Sequence, residues 1–186
     1  MVHMLYIKEH FMTITRHRHL VIQHCKKCGI LWQGLRHDLS KYSPTEFLEG
    51  IHFYKPDKSP NVGARESNGY SRAWLHHQGR NKHHFEYWLD YNPVSRKKEP
   101  VRMPVRYVVE MFCDRIAASK IYFGKDYDDS KPLMYFYKGK GKIFMHPQTA
   151  ALLERLLKKL EADGEDNAFL YVRKVIKPGA KKKGIW

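Results

Sequence analysis

Residues 104–122 read PVRYVVEMFCDRIAASKIY, and they carry the strongest helical pattern in the chain. Apolar positions recur every three to four residues, the period of one buried helix face. Pro104 fits the first turn, where its missing N–H costs nothing, and Gly124 offers a stop. Asp114 sits midway along this apolar pattern, between Cys113 and Arg115 and ahead of small residues. Burying a carboxylate there is costly unless it is paired or binds a cation.

Working outward, the rest of the chain also reads as helices. Leu5, Phe11, Ile14, Val21 and Cys25 give a helix over about 4–28, stopped by Gly29. Ser43, Pro44 and Glu46 form a capping box that starts a helix near Pro44. The composition of 55–63 predicts a loop. A helix follows over 64–78, ending at His76-His77-Gln78-Gly79, and Asn81 can cap another through KHHFEYWLDY. Residues 91–103 read as a second long loop. Asp129 or Ser130 with Pro132 begins a short helix, Pro147 begins one closed by Gly164, and a last helix covers about 165–175. Strand signals are nearly absent. The expected fold class is all-α, with one domain over 1–176: a core at about 4–124 and C-terminal helices at about 130–176. Residues 177–186 read as a flexible, solvated basic tail.

Composition narrows the function. The 186 residues include 34 Lys+Arg and 19 Asp+Glu, a formal charge of +15. That favours an anionic small-molecule partner, phosphorylated by preference. Nucleic acid also fits the charge but is not favoured, because no RNA- or DNA-recognition motif is present. No apolar run approaches the roughly 20 residues that span a bilayer, and the N-terminus lacks signal-peptide order, so a cytoplasmic protein is the expectation. The three cysteines do not describe a disulfide framework, and Cys25-Lys26-Lys27-Cys28 lacks the second pair that a zinc site needs.

The second chemically loaded stretch is LRHDLSKY, residues 35–42. Adjacent His37 and Asp38 do not share a helix face, so the pair caps something or converges on something. The chain has twelve histidines. His3, His10, His24, His52 and His146 read as ordinary hydrogen-bonded residues. The ordered set His17, His37, Asp38, His77, His83 and Asp114 reads as metal ligands, since imidazole and carboxylate together suit Mn, Fe, Co, Ni or Zn.

A helix carrying HRHLV (17–21), then HDLSK (37–41), then paired histidines, then CDRIAASK (113–120) resembles the HD-domain superfamily of metal-dependent phosphohydrolases. More narrowly, WQGLRHDLSKYSPTEF (32–47), GYSRAWLHHQGRNKHHFEYW (69–88) and EMFCDRIAASKIY (110–122) resemble the DUF5662 family, over nearly the whole chain. The superfamily resemblance implies an HD-like helical bundle holding one or two divalent transition metals. It implies His17 over His19, and Asp38 as a bridge between two ions. His17, His37 and Asp114 would complete one shell, and His77 with His83 the other; His76 and His84 stay open as alternates. It further implies metal-activated attack of water on a nucleotide or other small phosphate ester, with Lys41 and Arg80 reaching phosphoryl oxygens. Lys82 is a further cationic candidate, and Glu86 could orient a ligand histidine. Some HD-fold proteins instead hold two irons and activate oxygen. A non-catalytic basic helical protein that binds nucleic acid is the third reading. Tyr70, Trp74, Tyr87 and Trp88 read as core. Oligomeric state is not legible.

Overall fold

A computed structural model describes residues 2–56, 58–139 and 144–186. The protein is predominantly helical. Helix α1 (Val2–Lys27) lies along α6 (Val105–Phe123), with α2 (Leu31–Arg36) turned back onto α1. Between α2 and α6 come α3 (Pro44–His52), α4 (Pro60–Asn68) and α5 (Arg72–Gln78), followed by a hairpin of β1 (Leu89–Asn92) and β2 (Lys97–Pro100). Helix α7 (Lys131–Gly139) and α8 (Pro147–Tyr171) cover α6 from the other side, and α9 (Lys177–Lys182) closes the chain. No helix among the described residues is long and apolar enough to cross a membrane.

Helix α1 shows why this arrangement holds. His10, Ile14, His17, Val21, His24 and Cys25 are buried, and they recur at helical spacing on one face. That face meets α6, where Val108, Val109, Phe112, Cys113, Ile116 and Ala117 are almost wholly enclosed. Leu153, Leu156, Leu157 and Leu160 of α8 complete the same apolar cluster. Gly34 lets α2 sit close on α1: a Cβ there would lie 2.6 Å from the Cβ of Cys25. This close approach brings the following turn, with His37 and Asp38, over the middle of α1.

Several sequence expectations need correction. The segment after Asn81 is not an α-helix. A tight turn leads into a short 3-10 stretch, Phe85–Trp88, and then into β1. Leu89 pairs with Pro100 and Asn92 with Lys97, so part of the expected 91–103 loop is strand. Asn92 organises the reversal: its Oδ1 accepts the N–H of Val94 at 2.9 Å, and its carbonyl accepts that of Arg96 at 2.8 Å. The expected single helix over 64–78 is two helices. α4 starts earlier, at Pro60, and Gly69 ends it at φ 77°, a left-handed conformation that glycine adopts without strain. The C-terminal segment has structure of its own. Residues 177–182 are helical, the Ile185 carbonyl accepts the Val105 N–H at 3.0 Å, and Trp186 packs on the core cluster. Apolar Ile185 and Trp186 anchor a segment whose lysines alone suggested solvation.

Candidate metal centre

The centre lies where α1, α6, the turn after α2 and the α5 end converge. Arg18 on α1 fixes that turn: its Nε donates to the His37 carbonyl at 2.8 Å and its NH2 to the Leu35 carbonyl at 3.0 Å. Asp38 takes φ 53°, a left-handed conformation that aspartate tolerates better than most residues. It then opens a 3-10 turn, Leu39–Tyr42. Three residues per turn returns Lys41 over Asp38, with its Nζ 2.7 Å from Oδ2.

The two oxygens of Asp38 face different partners. Oδ2 lies 3.3 Å from His37 Nε2 and 3.8 Å from His17 Nε2. Asp114 Oδ1 joins that side, 2.9 Å from His17 Nε2 and 3.5 Å from His37 Nε2. Oδ1 of Asp38 lies 3.2 Å from His77 Nε2 and 3.5 Å from His83 Nε2. His84 Nε2 is 2.9 Å from His77 Nε2, on this second side. Three groups among the described residues could each hold a metal ion: His17/His37/Asp38/Asp114, Asp38/His77/His83/His84 and, behind them, His37/His83/Glu110; only the first two share Asp38.

The donors fit such an ion. Metal–ligand bonds of about 2.0–2.2 Å at tetrahedral or octahedral angles place neighbouring ligand atoms roughly 3–3.5 Å apart. The separations above cluster at that spacing. His17 Nε2, His37 Nε2, Asp38 Oδ1 and His83 Nε2 are buried without an aligned hydrogen bond, although each lies close to another donor or acceptor. Buried polar atoms are seldom left so. Four such atoms within one cluster are what ligand atoms around an ion would present.

Two carboxylates stand behind the histidines. Glu110 Oε1 is 2.9 Å from His37 Nδ1 and 3.2 Å from His83 Nδ1, and its Oε2 accepts from Gln33 Nε2 at 2.6 Å. Glu46 binds His77 Nδ1 at 2.7 Å through Oε2 and His76 Nδ1 at 2.6 Å through Oε1. Asn81 braces the same region, donating to Ser40 Oγ and to the His77 carbonyl, each at 2.8 Å. It is a strut inside the site, where the sequence suggested a helix cap.

Charge follows from this packing. Burial opposes ionisation of Asp38, Asp114 and Glu110, yet facing imidazoles outweigh it, with Lys41 also acting on Asp38. Asp38 and Asp114 are held well below the carboxylate range, and Glu110 at about 2. Burial lowers His17 and His84, and the neighbouring His83 and His77 lower His84 further. Burial also opposes the charge of His37, His77 and Lys41, but Asp38 outweighs it and raises all three.

A cavity of about 300 Å³ opens onto the centre. His17, Asp38, His77, His84 and Asp114 line its floor, together with Lys41. Its upper wall includes Tyr54, Trp74, Tyr122 and Tyr135, with Lys55 and Lys58 exposed at the rim.

Of the residues named from sequence, His17, His37, Asp38, His77, His83, Asp114 and Lys41 come together. His19 is exposed. Between the alternates, His84 joins the second set, while His76 turns to Glu46 and stays out of both. Arg80 is exposed, donates to the His76 carbonyl at 3.4 Å, and is not among the described residues that line the cavity. Lys82 is also exposed, lying over the Tyr87 ring. Glu86 has a buried Oε2 with no hydrogen-bond partner among the described residues, burial raises its carboxyl, and no hydrogen bond there joins it to a ligand histidine. Trp74 lines the cavity and Tyr70 and Tyr87 are exposed, so only half-buried Trp88 packs on the core as expected. Among the histidines set aside, His24 Nδ1 meets the Cys113 carbonyl at 3.2 Å, His146 caps Gln148 and His52 is exposed. His10 is buried beside Phe47 and lines the cavity, and the side chain of His3 lies outside the described residues. Glu110, Glu46 and Arg18 were missed. Glu110 had a signal: it precedes Asp114 by four residues and so shares its helix face. Glu46 was absorbed by the capping box, but only half of that box exists. Ser43 Oγ accepts the Glu46 N–H at 3.5 Å, while the Glu46 carboxylate goes to the histidines.

The chain matches the model of DUF5662, a family of unknown function, over residues 6–159, and belongs to that family. No curated protein and no solved structure matches it.

Proposed function

We propose that this member of DUF5662 is a metal-dependent phosphohydrolase of the HD type, acting on a small phosphate ester. The observation that carries the reading is Asp38, whose two oxygens each face a separate group of buried imidazoles. One carboxylate with a ligand set on each oxygen is the arrangement a bridged pair of divalent ions requires. When bound, such a pair supplies Lewis acidity and a water acidic enough to act as nucleophile near neutral pH.

The chain's own residues do the rest. His17, His37 and Asp114 would hold one ion and His77, His83 and His84 the other, each together with Asp38. Lys41 Nζ stands at the cavity floor, held charged by Asp38 and Asp114, and offers its donors to a phosphoryl oxygen. Lys55 and Lys58 at the rim draw an anion inward. Trp74, Tyr54, Tyr122 and Tyr135 supply an apolar wall for the ester's organic part. A cavity of about 300 Å³ limits the substrate to a small molecule. The resemblance of HRHLV, HDLSK and CDRIAASK to the HD superfamily supports the same chemistry.

The test is phosphate release from a panel of nucleotides and simple esters by protein loaded with Mn, Co or Ni. Release that disappears in Asp38→Ala supports the reading. A metal-loaded, folded protein that releases nothing across the panel contradicts it.

A further inference from the structure

Glu110 belongs to neither of the two ligand sets that share Asp38, yet it touches a histidine of each, and with them forms a group of its own. Its Oε1 meets Nδ1 of His37, from the Asp114 side, and Nδ1 of His83, from the other. The two rings lie side by side at a tilt of 39°, with centroids 4.3 Å apart. Their Nε2 atoms each approach a different oxygen of Asp38, at 3.3 and 3.5 Å. Gln33 anchors the free oxygen of Glu110. An imidazole that gives its Nδ1–H to a carboxylate is fixed in the tautomer that leaves Nε2 unprotonated, and its ring orientation is fixed as well. Glu46 does this for one half only, through His77, its second contact being His76.

We propose that Glu110 is a shared positioning residue, on which affinity for both ions depends, whereas Glu46 serves one. The inference rests on the two-ion reading above. A merely structural role is the competing account: Glu110 would satisfy two buried N–H groups, and its loss would lower the stability of the metal-free fold without moving ion affinity.

The experiment titrates Mn²⁺ into metal-stripped wild type, Glu110→Gln and Glu46→Gln, and reads ions per chain, their affinities and the melting temperature without metal. Outer partners of ligand histidines are worth about 10- to 100-fold in metal affinity. Glu110→Gln is expected to lose that factor at both sites, and Glu46→Gln at one. Gln33 Nε2 also donates to the Arg106 carbonyl at 3.1 Å, so the amide oxygen at 110 takes the Gln33 side and its NH2 faces both Nδ1 atoms. The imidazoles can accept there only in the tautomer that protonates Nε2, so the variant is expected to fold but to lose its ligand atoms. Should it not fold, Gln33→Ala decides, because it loosens Glu110 without removing it; a weakening of several-fold at both sites is then expected. Two ions bound with unchanged affinity in Glu110→Gln, or a loss confined to one site, overturns the inference and leaves the two-ion reading standing. Wild type that takes up no Mn²⁺ overturns both.

Discussion

Asp38→Asn should convert a two-ion centre into a one-ion centre, and the structure says which ion goes. An amide replaces one of the two carboxylate oxygens with an NH2. Lys41 Nζ sits 2.7 Å from Oδ2, so the amide oxygen will take that side and the NH2 will replace Oδ1. Oδ1 is the atom 3.2 Å from His77 and 3.5 Å from His83. That half then holds three imidazoles, no acid and a donor where a ligand stood. The other half keeps His17, His37, Asp114 and an amide oxygen. The stoichiometry should fall from two ions to one, with the survivor on the Asp114 side. A lost ion removes several kcal/mol of transition-state stabilisation; about 4 kcal/mol corresponds to roughly a thousandfold loss of rate. Elemental analysis of the purified variant, beside phosphate-release rates, measures both. An Asp38→Asn protein that keeps two ions, or turns over within a few-fold of wild type, would refute the bridging argument.

Lys41→Met should lower kcat/KM for a phosphate ester by about 10- to 100-fold, the worth of a charge-assisted hydrogen bond, while exposed Arg80→Ala should change it less than about twofold. Burial lowers the His24 pKa to about 4, against an opposing hydrogen bond to the Cys113 carbonyl. The unfolded chain therefore binds more protons between about pH 6.5 and 4, and stability falls as pH falls through that window. The loss from this group reaches about 2 kcal/mol by pH 5, and urea melts of metal-free wild type should show that extra slope relative to His24→Gln. Phe112 is wholly enclosed between α1, α6 and α8, so Phe112→Ala should cost about 3–5 kcal/mol in denaturant unfolding.

The fold was legible wherever local chemistry punctuates the chain. Pro44, Pro104 and Pro147 begin or immediately precede helices, Gly29 and Gly124 end them, and Gly164 breaks α8 at φ 79°. The errors fall where tertiary contacts decide. Residues 83–88 carry aromatic and histidine side chains at mixed spacing. His83 must face Asp38 while Trp88 Nε1 reaches back to the Lys82 carbonyl at 2.8 Å, and one continuous α-helix does not serve both. The tail shows the same limit, since lysine content says nothing of where Ile185 and Trp186 dock.

The candidate site was legible as a set of donors and not as a geometry. Ligands announce themselves by residue type, and His37-Asp38 by adjacency. The choice of His77 over His76 needs the α3–α5 contact that brings Glu46 between them. Glu110 and Glu46 are ordinary helix residues in sequence and take on meaning only when α6 and α3 are packed against the histidines.

Crystals of the Mn²⁺-loaded protein, with data collected at an energy where manganese scatters anomalously, test the central claim most directly. The account predicts two anomalous peaks about 3.5–4 Å apart on either side of the Asp38 carboxylate. One should lie among His17, His37 and Asp114, and the other among His77, His83 and His84. No peak at Asp38, or a single ion bound away from these side chains, would contradict it.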